Sequence, residues 1–239
     1  MKTIMKTPLR LTRNKRRFAA ACLLVCFLPT ATLALPLGPQ VINGTATVNT
    51  KGNAMTITNS ANAIINWQSF SIGQSEITRF IQPSAISAVL NRVTGGDPSA
   101  ILGVLQSNGK VLLINQNGIF FGPNARLDVN GLIASTLDIS NKDFLAGRMK
   151  FNAGPTAGKI ENQGTITTPS GGSVYLIAPD VTNTGIINAP NGDILLAAGK
   201  EVLLVDKSSP EIAMVVSAPA NQAVNLGTLA ADAGKVGMY

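Results

Sequence analysis

The chain has 239 residues, of which 45% are hydrophobic, 13% charged and 5% aromatic, with two Cys and no His. A disordered chain would carry more charge and fewer aliphatics, so the composition is that of a folded protein. The net charge of +7 is concentrated at one end: Lys2, Lys6, Arg10, Arg13, Lys15, Arg16 and Arg17 all precede the first acidic residue, Glu76, and removing these seven from 19 Lys and Arg leaves 12 against 12 Asp and Glu. A nucleic-acid-binding module needs a basic stripe to neutralise phosphates, and none remains outside that end, so no nucleic-acid partner is expected.

The basic run leads into the apolar stretch from Phe18 to Leu28, too short to span a bilayer as a helix and of the length of a signal-peptide core, and Pro29 ends it. Small residues at Thr32 and Ala34 predict cleavage between Ala34 and Leu35, so residues 1–34 are expected to be a signal peptide read by the Sec translocon, and 35–239 the mature domain. Cys22 and Cys26 leave with the leader, so the mature chain must be stable on packing without disulfides.

From Gln40 onward, apolar bursts of two to five residues alternate with Gly, Asn and Pro, and no window sustains an amphipathic helical period. Strands are predicted in order over Ala46 to Val48, Ala54 to Thr58, Ala63 to Trp67, Ile77 to Ile81, Val111 to Ile114, Gly118 to Phe121, Arg126 to Val129 and Leu132 to Ser135. They continue over Gly164 to Thr167, Ser173 to Ile177, Gly185 to Asn188, Asp193 to Ala197 and Glu201 to Val205. Two helical turns are expected to interrupt them: Asp97 to Ile101, with Asp before Pro98, and Ser140 to Ala146, ending at Gly147.

The strands are ordered by an internal repeat. Asn162-Gln163-Gly164 recurs as Asn183-Thr184-Gly185, Pro169 as Pro190 and Gly171 as Gly192, an offset of 21 that also maps Val174-Tyr175-Leu176 onto Leu195-Leu196-Ala197. A weaker echo aligns the strings opening at Gly109, Gly172, Gly192 and Gly199. A period near 21 cannot hold a helix pair, and the Leu spacing of leucine-rich repeats is missing, which leaves an all-β, right-handed parallel β-helix. The 20 Asn from Leu35 onward suit its tight corners. Residues 35–81 alternate more and repeat less, and are expected to form an N-terminal cap with entry strands, leaving 82–239 for the rungs. The end at Gly234 to Tyr239 reads as the opening of another rung, suggesting a fragment, a truncated product or a pairing end.

Specific strings then carry a resemblance. Ile64 to Gly73, Phe80 to Ser84, Leu90 to Gly95, Leu113 to Pro123, Ala134 to Ser140 and Ala223 to Gly227 resemble, in order, the N-terminal two-partner secretion domain of filamentous haemagglutinin-like proteins. Asn115-Gln116-Asn117-Gly118-Ile119 stands where that family has Asn-Pro-Asn-Gly-Ile, with Gln116 in place of Pro; the Asn-Pro-Asn-Leu motif is not found. The resemblance implies a capped β-helix with a small extra-helical sheet. It also implies an exported chain that crosses the periplasm to the cell surface or medium, recognised by the POTRA domains of an outer-membrane β-barrel transporter. Any host-cell or surface receptor would be met by an adhesive passenger that this chain does not contain.

Two groups of residues are singled out. Asn115, Gln116, Asn117, Gly118 and Ile119 either touch the transporter or form a corner on which the fold depends. Asn66, Trp67, Phe70, Asn91 and Arg92 are either cap or core residues or an exposed recognition set. Two other classes compete: a truncated or free-standing β-helical adhesin, and a polysaccharide-active β-helix enzyme. Without His or mature Cys, triads, thiol nucleophiles and His-based metal sites are unavailable, and Asp128, Asp138, Asp143, Asp180, Asp193 and Asp206 are scattered singly. The chain is therefore read as non-enzymatic, with no cofactor and no metal.

Overall fold

The structure, a computed structural model, describes residues 34–205, 211–216 and 221–239. The leader reading up to residue 33, and Asp206, lie outside the described residues. The described chain opens with β1 (Gln40–Asn43) and β2 (Ala46–Lys51), followed by β3 (Ala54–Asn59) and β4 (Ala63–Trp67). β2 runs antiparallel to β3 and β1 antiparallel to β4, whereas the next neighbours of β3 and β4 are parallel.

Three strands then close a coil: β5 (Ile77–Ile81), β6 (Ala88–Val93) and β7 (Ser99–Ile101). In the next two coils the first two sides fuse into long bent strands, β8 (Val104–Ile114) before β9 (Ile119–Phe121), and β10 (Arg126–Ser135). The chain leaves the solenoid through β11 (Asp138–Ile139), α1 (Asn141–Leu145) and β12 (Met149–Asn152), and returns at β13 (Ile160–Asn162). A full coil follows, β14 (Thr165–Thr167), β15 (Val174–Ala178) and β16 (Asp180–Asn183), and then β17 (Ile186–Asn188) and β18 (Ile194–Ala198). A second excursion, β19 (Glu201–Val205) and β20 (Glu211–Val216), precedes β21 (Gln222–Asn225), β22 (Thr228–Ala230) and β23 (Val236–Met238).

The stacked strands make a right-handed parallel β-helix with three sides. One side is β3, β5, the first half of β8 and of β10, β14, β17 and β22; the second is β4, β6, the second halves, β15, β18 and β23; the third is β7, β9, β13, β16 and β21. The excursions join as an antiparallel sheet, β11-β12-β19-β20, the small extra-helical sheet expected from the resemblance.

Two cores explain the apolar runs. Inside the solenoid, Ile65, Trp67, Leu113, Phe121, Leu176, Val181 and Leu196 are buried with other inward residues of all three sides. Between the second side and the extra-helical sheet, Ile64, Leu90, Leu112, Ile177 and Leu195 pack on Phe144, Phe151 and Val202. The second side is thus covered on both faces, and β15 and β18 are buried at every position, which is why they read as continuous aliphatic runs.

Three expectations are corrected. Asp97 to Ile101 is not helical: Ser99–Ile101 is a strand paired with Ile119 to Phe121, because one turn of helix cannot compete with a parallel ladder waiting on the next coil. The offset of 21 holds for Asn162 on Asn183 and Thr165 on Ile186, but Val174 pairs with Ile194, Tyr175 with Leu195 and Leu176 with Leu196, an offset of 20. The second corner is one residue shorter, and with the offset kept at 21 the inward residues would have faced outward. The string opening at Gly199 is not a rung, since β19 runs antiparallel between β12 and β20. The expected turn at Ser140 to Ala146 is α1, capped by the Ser140 hydroxyl, which accepts from the Asp143 N–H at 3.0 Å.

Candidate recognition corner

The corner between β8 and β9 is a hydrogen-bonded turn in which the Gly118 N–H reaches the Asn115 carbonyl at 3.2 Å. Asn115 is fully buried and all of its polar side-chain atoms are used. Its Oδ1 accepts from the Asn117 N–H at 3.0 Å and from Asn117 Nδ2 at 3.2 Å, while its Nδ2 donates to the Asp97 carbonyl and to Ser99 Oγ, both at 3.0 Å. An Asn at the first turn position, bonding its own backbone two residues on, is the reason the motif starts with this residue type.

The turn is stitched to the coils on both sides. Asn117 Nδ2 donates to the Gly95 carbonyl at 2.8 Å on one side; on the other, the Gly158 N–H donates to the Gln116 carbonyl at 2.7 Å and the Ile119 N–H to the Lys159 carbonyl at 3.1 Å. Gly118 has φ +125°, a conformation that L side chains rarely adopt. Asn117 does not share the positive φ that an Asn-Gly pair suggests; the described non-glycine residues that have one are Asn62, Asn191 and Asp232. The loss of Pro at 116 is tolerated because position 116 is the second residue of the turn, where Pro is favoured but not required. Ile119 is buried in the interior core. Of the five residues, only Asn117, exposed, and Gln116, half-buried, present side chains to solvent.

The second group lies next to the first. Ile65 pairs with Asn91 and Asn66 with Arg92 across β4 and β6, and Arg92 pairs with Ile114, the residue before the corner. Trp67 and Phe70 are buried: the rings meet edge-on, with centroids 5.5 Å apart, and Phe70 in turn stacks on Phe80 at 6.4 Å. Trp67 Nε1 donates to Asn91 Oδ1 at 2.9 Å, so a fully buried Asn satisfies the indole. Asn66 is half-buried, and its Oδ1 is enclosed without a hydrogen-bond partner. Arg92 clamps the first excursion, with Nε on Asp138 Oδ1 at 2.9 Å, NH1 on Asn141 Oδ1 at 2.8 Å and NH2 on the Ile139 carbonyl.

Sequence reasoning missed the scaffold of the corner. Gly95 approaches so closely that a Cβ there would lie 2.1 Å from the Gln68 carbonyl oxygen, and Ser99 is buried under Asn115. The Gly95-Gly96-Asp97-Pro98 run was the available signal. Ala34 and Leu35, the predicted cleavage pair, are at the start of the first coil: Leu35 is buried in the core, and the Ala34 N–H donates to Glu76 Oε1 at 2.7 Å. Among the described residues, no group of His, Cys, Asp and Glu could hold a metal ion.

A parallel solenoid whose motif residues serve stacking, with an antiparallel sheet pinned to one side, is the architecture of a β-helical secretion module of the two-partner type. The chain belongs to the family of TPS secretion domains, whose model matches residues 34–239. Its structure is similar to the crystal structure of the HMW1 secretion domain from Haemophilus influenzae, with a TM-score of 0.82 and 43% identity over 85% of this chain and 55% of that one. Two heme/hemopexin-binding proteins of Haemophilus influenzae are also similar: 38% identical over 69% of this chain and 19% of the relative, and 41% identical over 44% and 11%. The chain therefore spans about a fifth, or less, of the length of these curated relatives. It is an exported, non-catalytic module of the filamentous haemagglutinin type, passing through the periplasm to the cell surface or medium.

Proposed function

We propose that residues 35–239 address an exported passenger to its outer-membrane transporter, after the Sec translocon has delivered the chain and the leader has been cut between Ala34 and Leu35. The transporter's POTRA domains take up the chain in the periplasm, and the barrel passes it outward with this domain first. Outside the cell the domain folds, and each completed coil is a template for the next. Folding then opposes back-sliding without any nucleotide being consumed. A receptor on a host cell or surface belongs to whatever passenger follows.

The observation that carries the reading is the division of labour within the corner: Asn115, Gly118 and Ile119 are buried, while Gln116 and Asn117 face solvent on the same turn. Recognition is assigned to Gln116 and Asn117, of which Asn117 also ties the turn to Gly95, and the main fold requirement to the other three. The test is export from a Gram-negative host with and without a partner barrel. Transporter-dependent appearance in the medium is expected for the wild type. Asn117→Ala is expected to keep its circular dichroism and lose export several-fold, whereas Asn115→Ala loses both. Export of Asn117→Ala at the wild-type level would remove the recognition role from the corner.

A further inference from the structure

Glu76 is 2% exposed, and none of the ion pairs among the described residues includes it. Its carboxylate accepts two backbone N–H groups, Ala34 on Oε1 and Gly73 on Oε2, each at 2.7 Å. The turn in which the Glu76 N–H donates to the Gly73 carbonyl at 2.9 Å folds the side chain back over its own backbone. A buried carboxylate is tolerated when it is paired as well as hydrogen-bonded, and two amides supply only part of that compensation. The donor from outside the turn belongs to the residue at the predicted leader junction. There, and nowhere else near Glu76, maturation changes the charge of the chain: cutting after Ala34 turns the Leu35 amide into an ammonium. Leu35 is held in the core, and its nitrogen is at most about 3.6 Å along the chain from that of Ala34.

We propose that Glu76 is the acceptor for the α-ammonium of the processed chain, so that leader removal closes the first coil with an ion pair the unprocessed chain cannot make. The covalent step is hydrolysis: water adds across the Ala34–Leu35 peptide bond, Ala34 departs with the new carboxylate, and the Leu35 nitrogen takes up a proton. The Ala34 N–H on Oε1 leaves with the leader, and the Leu35 ammonium replaces that single amide donor with a full charge and three donors. The start of the solenoid is thereby tightened only after processing. The inference rests on the leader reading, which the first measurement tests by itself.

The mass of the exported chain is expected to place its start at Leu35; a start at any other residue overturns both the cleavage reading and the proposal. The chain starting at Leu35 is then compared with its Nα-acetylated form and with a chain retaining residues 31–34, each in wild type and in Glu76→Gln. Blocking the amine either way is expected to lower Tm by about 4 °C in wild type and by under about 1 °C in Glu76→Gln. No loss in wild type, or an equal loss in both backgrounds, overturns the pair while leaving the leader reading intact. Should Glu76→Gln fail to fold, nitrogen NMR of the Leu35 amine in wild type decides. A slowly exchanging ammonium signal is expected, and a freely exchanging amine overturns the proposal.

Discussion

Asparagine does two jobs in this chain, and burial separates them. At the corners after the third side, Asn162 Nδ2 donates to Asn183 Oδ1 and Asn183 Nδ2 to Asn225 Oδ1, both at 2.7 Å, forming a ladder along the solenoid. Asn183→Ala removes both cross-coil hydrogen bonds and leaves the Asn162 amide and Asn225 Oδ1 only their longer contacts with the Gly164 carbonyl at 3.4 Å and the Gly227 N–H at 3.3 Å, and each lost bond costs about 1–1.5 kcal/mol. A urea midpoint corresponding to a loss of about 3 kcal/mol is expected, against less than about 0.5 kcal/mol for Asn191→Gly, where the exposed residue already sits at φ +53°. A second residue-scale prediction concerns Asp143, whose carboxyl is held below the ordinary aspartate range by the Ser140 hydroxyl first and the Arg148 guanidinium second. A lowered pKa in the folded state makes a contribution that is complete above the unfolded value, about 3.9, and lost as the pH falls through the folded value. Carboxyl NMR should show Asp143 titrating below the ordinary aspartate range and moving up in Ser140→Ala.

Strand positions were legible where a strand meets one core and one face of solvent, or two cores. Ala63–Trp67, Ile77–Ile81 and Glu201–Val205 coincide with their sequence expectations. Ser99–Ile101 and Ile160–Asn162 were not legible, because their pairing comes from neighbouring coils. The pairing within the excursions was not legible in the residues for a related reason: Met149–Asn152 is recruited by Glu201–Val205, some fifty residues further on, through an antiparallel ladder no period announces. Phe151 is the anchor of that ladder, fully buried between the two sheets. Phe151→Ala should cost about 3–5 kcal/mol. Hydrogen exchange is expected to rise in β12 and β19 while β14 and β17, on the first side, keep their protection. Equal loss on both sides would show that the extra-helical sheet and the solenoid unfold as one unit.

At the scale of the whole molecule, stability is a sum over stacked coils, and the coils are not equal. β8 and β10 each span two sides, pair with a coil on either side and contribute to both cores. Among the described residues, β22 and β23 have a partner on one edge only, and Val236, Met238 and Tyr239 are exposed. In the isolated segment 35–239, amide protection should therefore be highest in β8 and β10 and lowest in β22 and β23, with opening free energies running down the coils. Trp67, the single tryptophan and fully buried near the start of the solenoid, reports that end by its fluorescence. Its emission should stay blue-shifted at denaturant concentrations where the last coil already exchanges freely.

The amino-acid sequence by itself determined the class of this protein: an all-β solenoid with coils near 21 residues, Asn and Gly at its corners, and a leader-like basic and apolar start. Those properties are local, written within one coil and repeated in the next, so composition and period expose them. Tertiary structure decided the one-residue shortening that keeps β18 in phase with β15, the recruitment of Ser99–Ile101 into a sheet, and the two excursions. It also decided that only Gln116 and Asn117 of the motif face solvent. Each of these depends on residues far apart in the chain, as Arg92 holding Asp138 across 46 positions illustrates. Contacts of that reach are settled by which faces can be buried together, a property of the assembled coils that no single stretch of sequence displays.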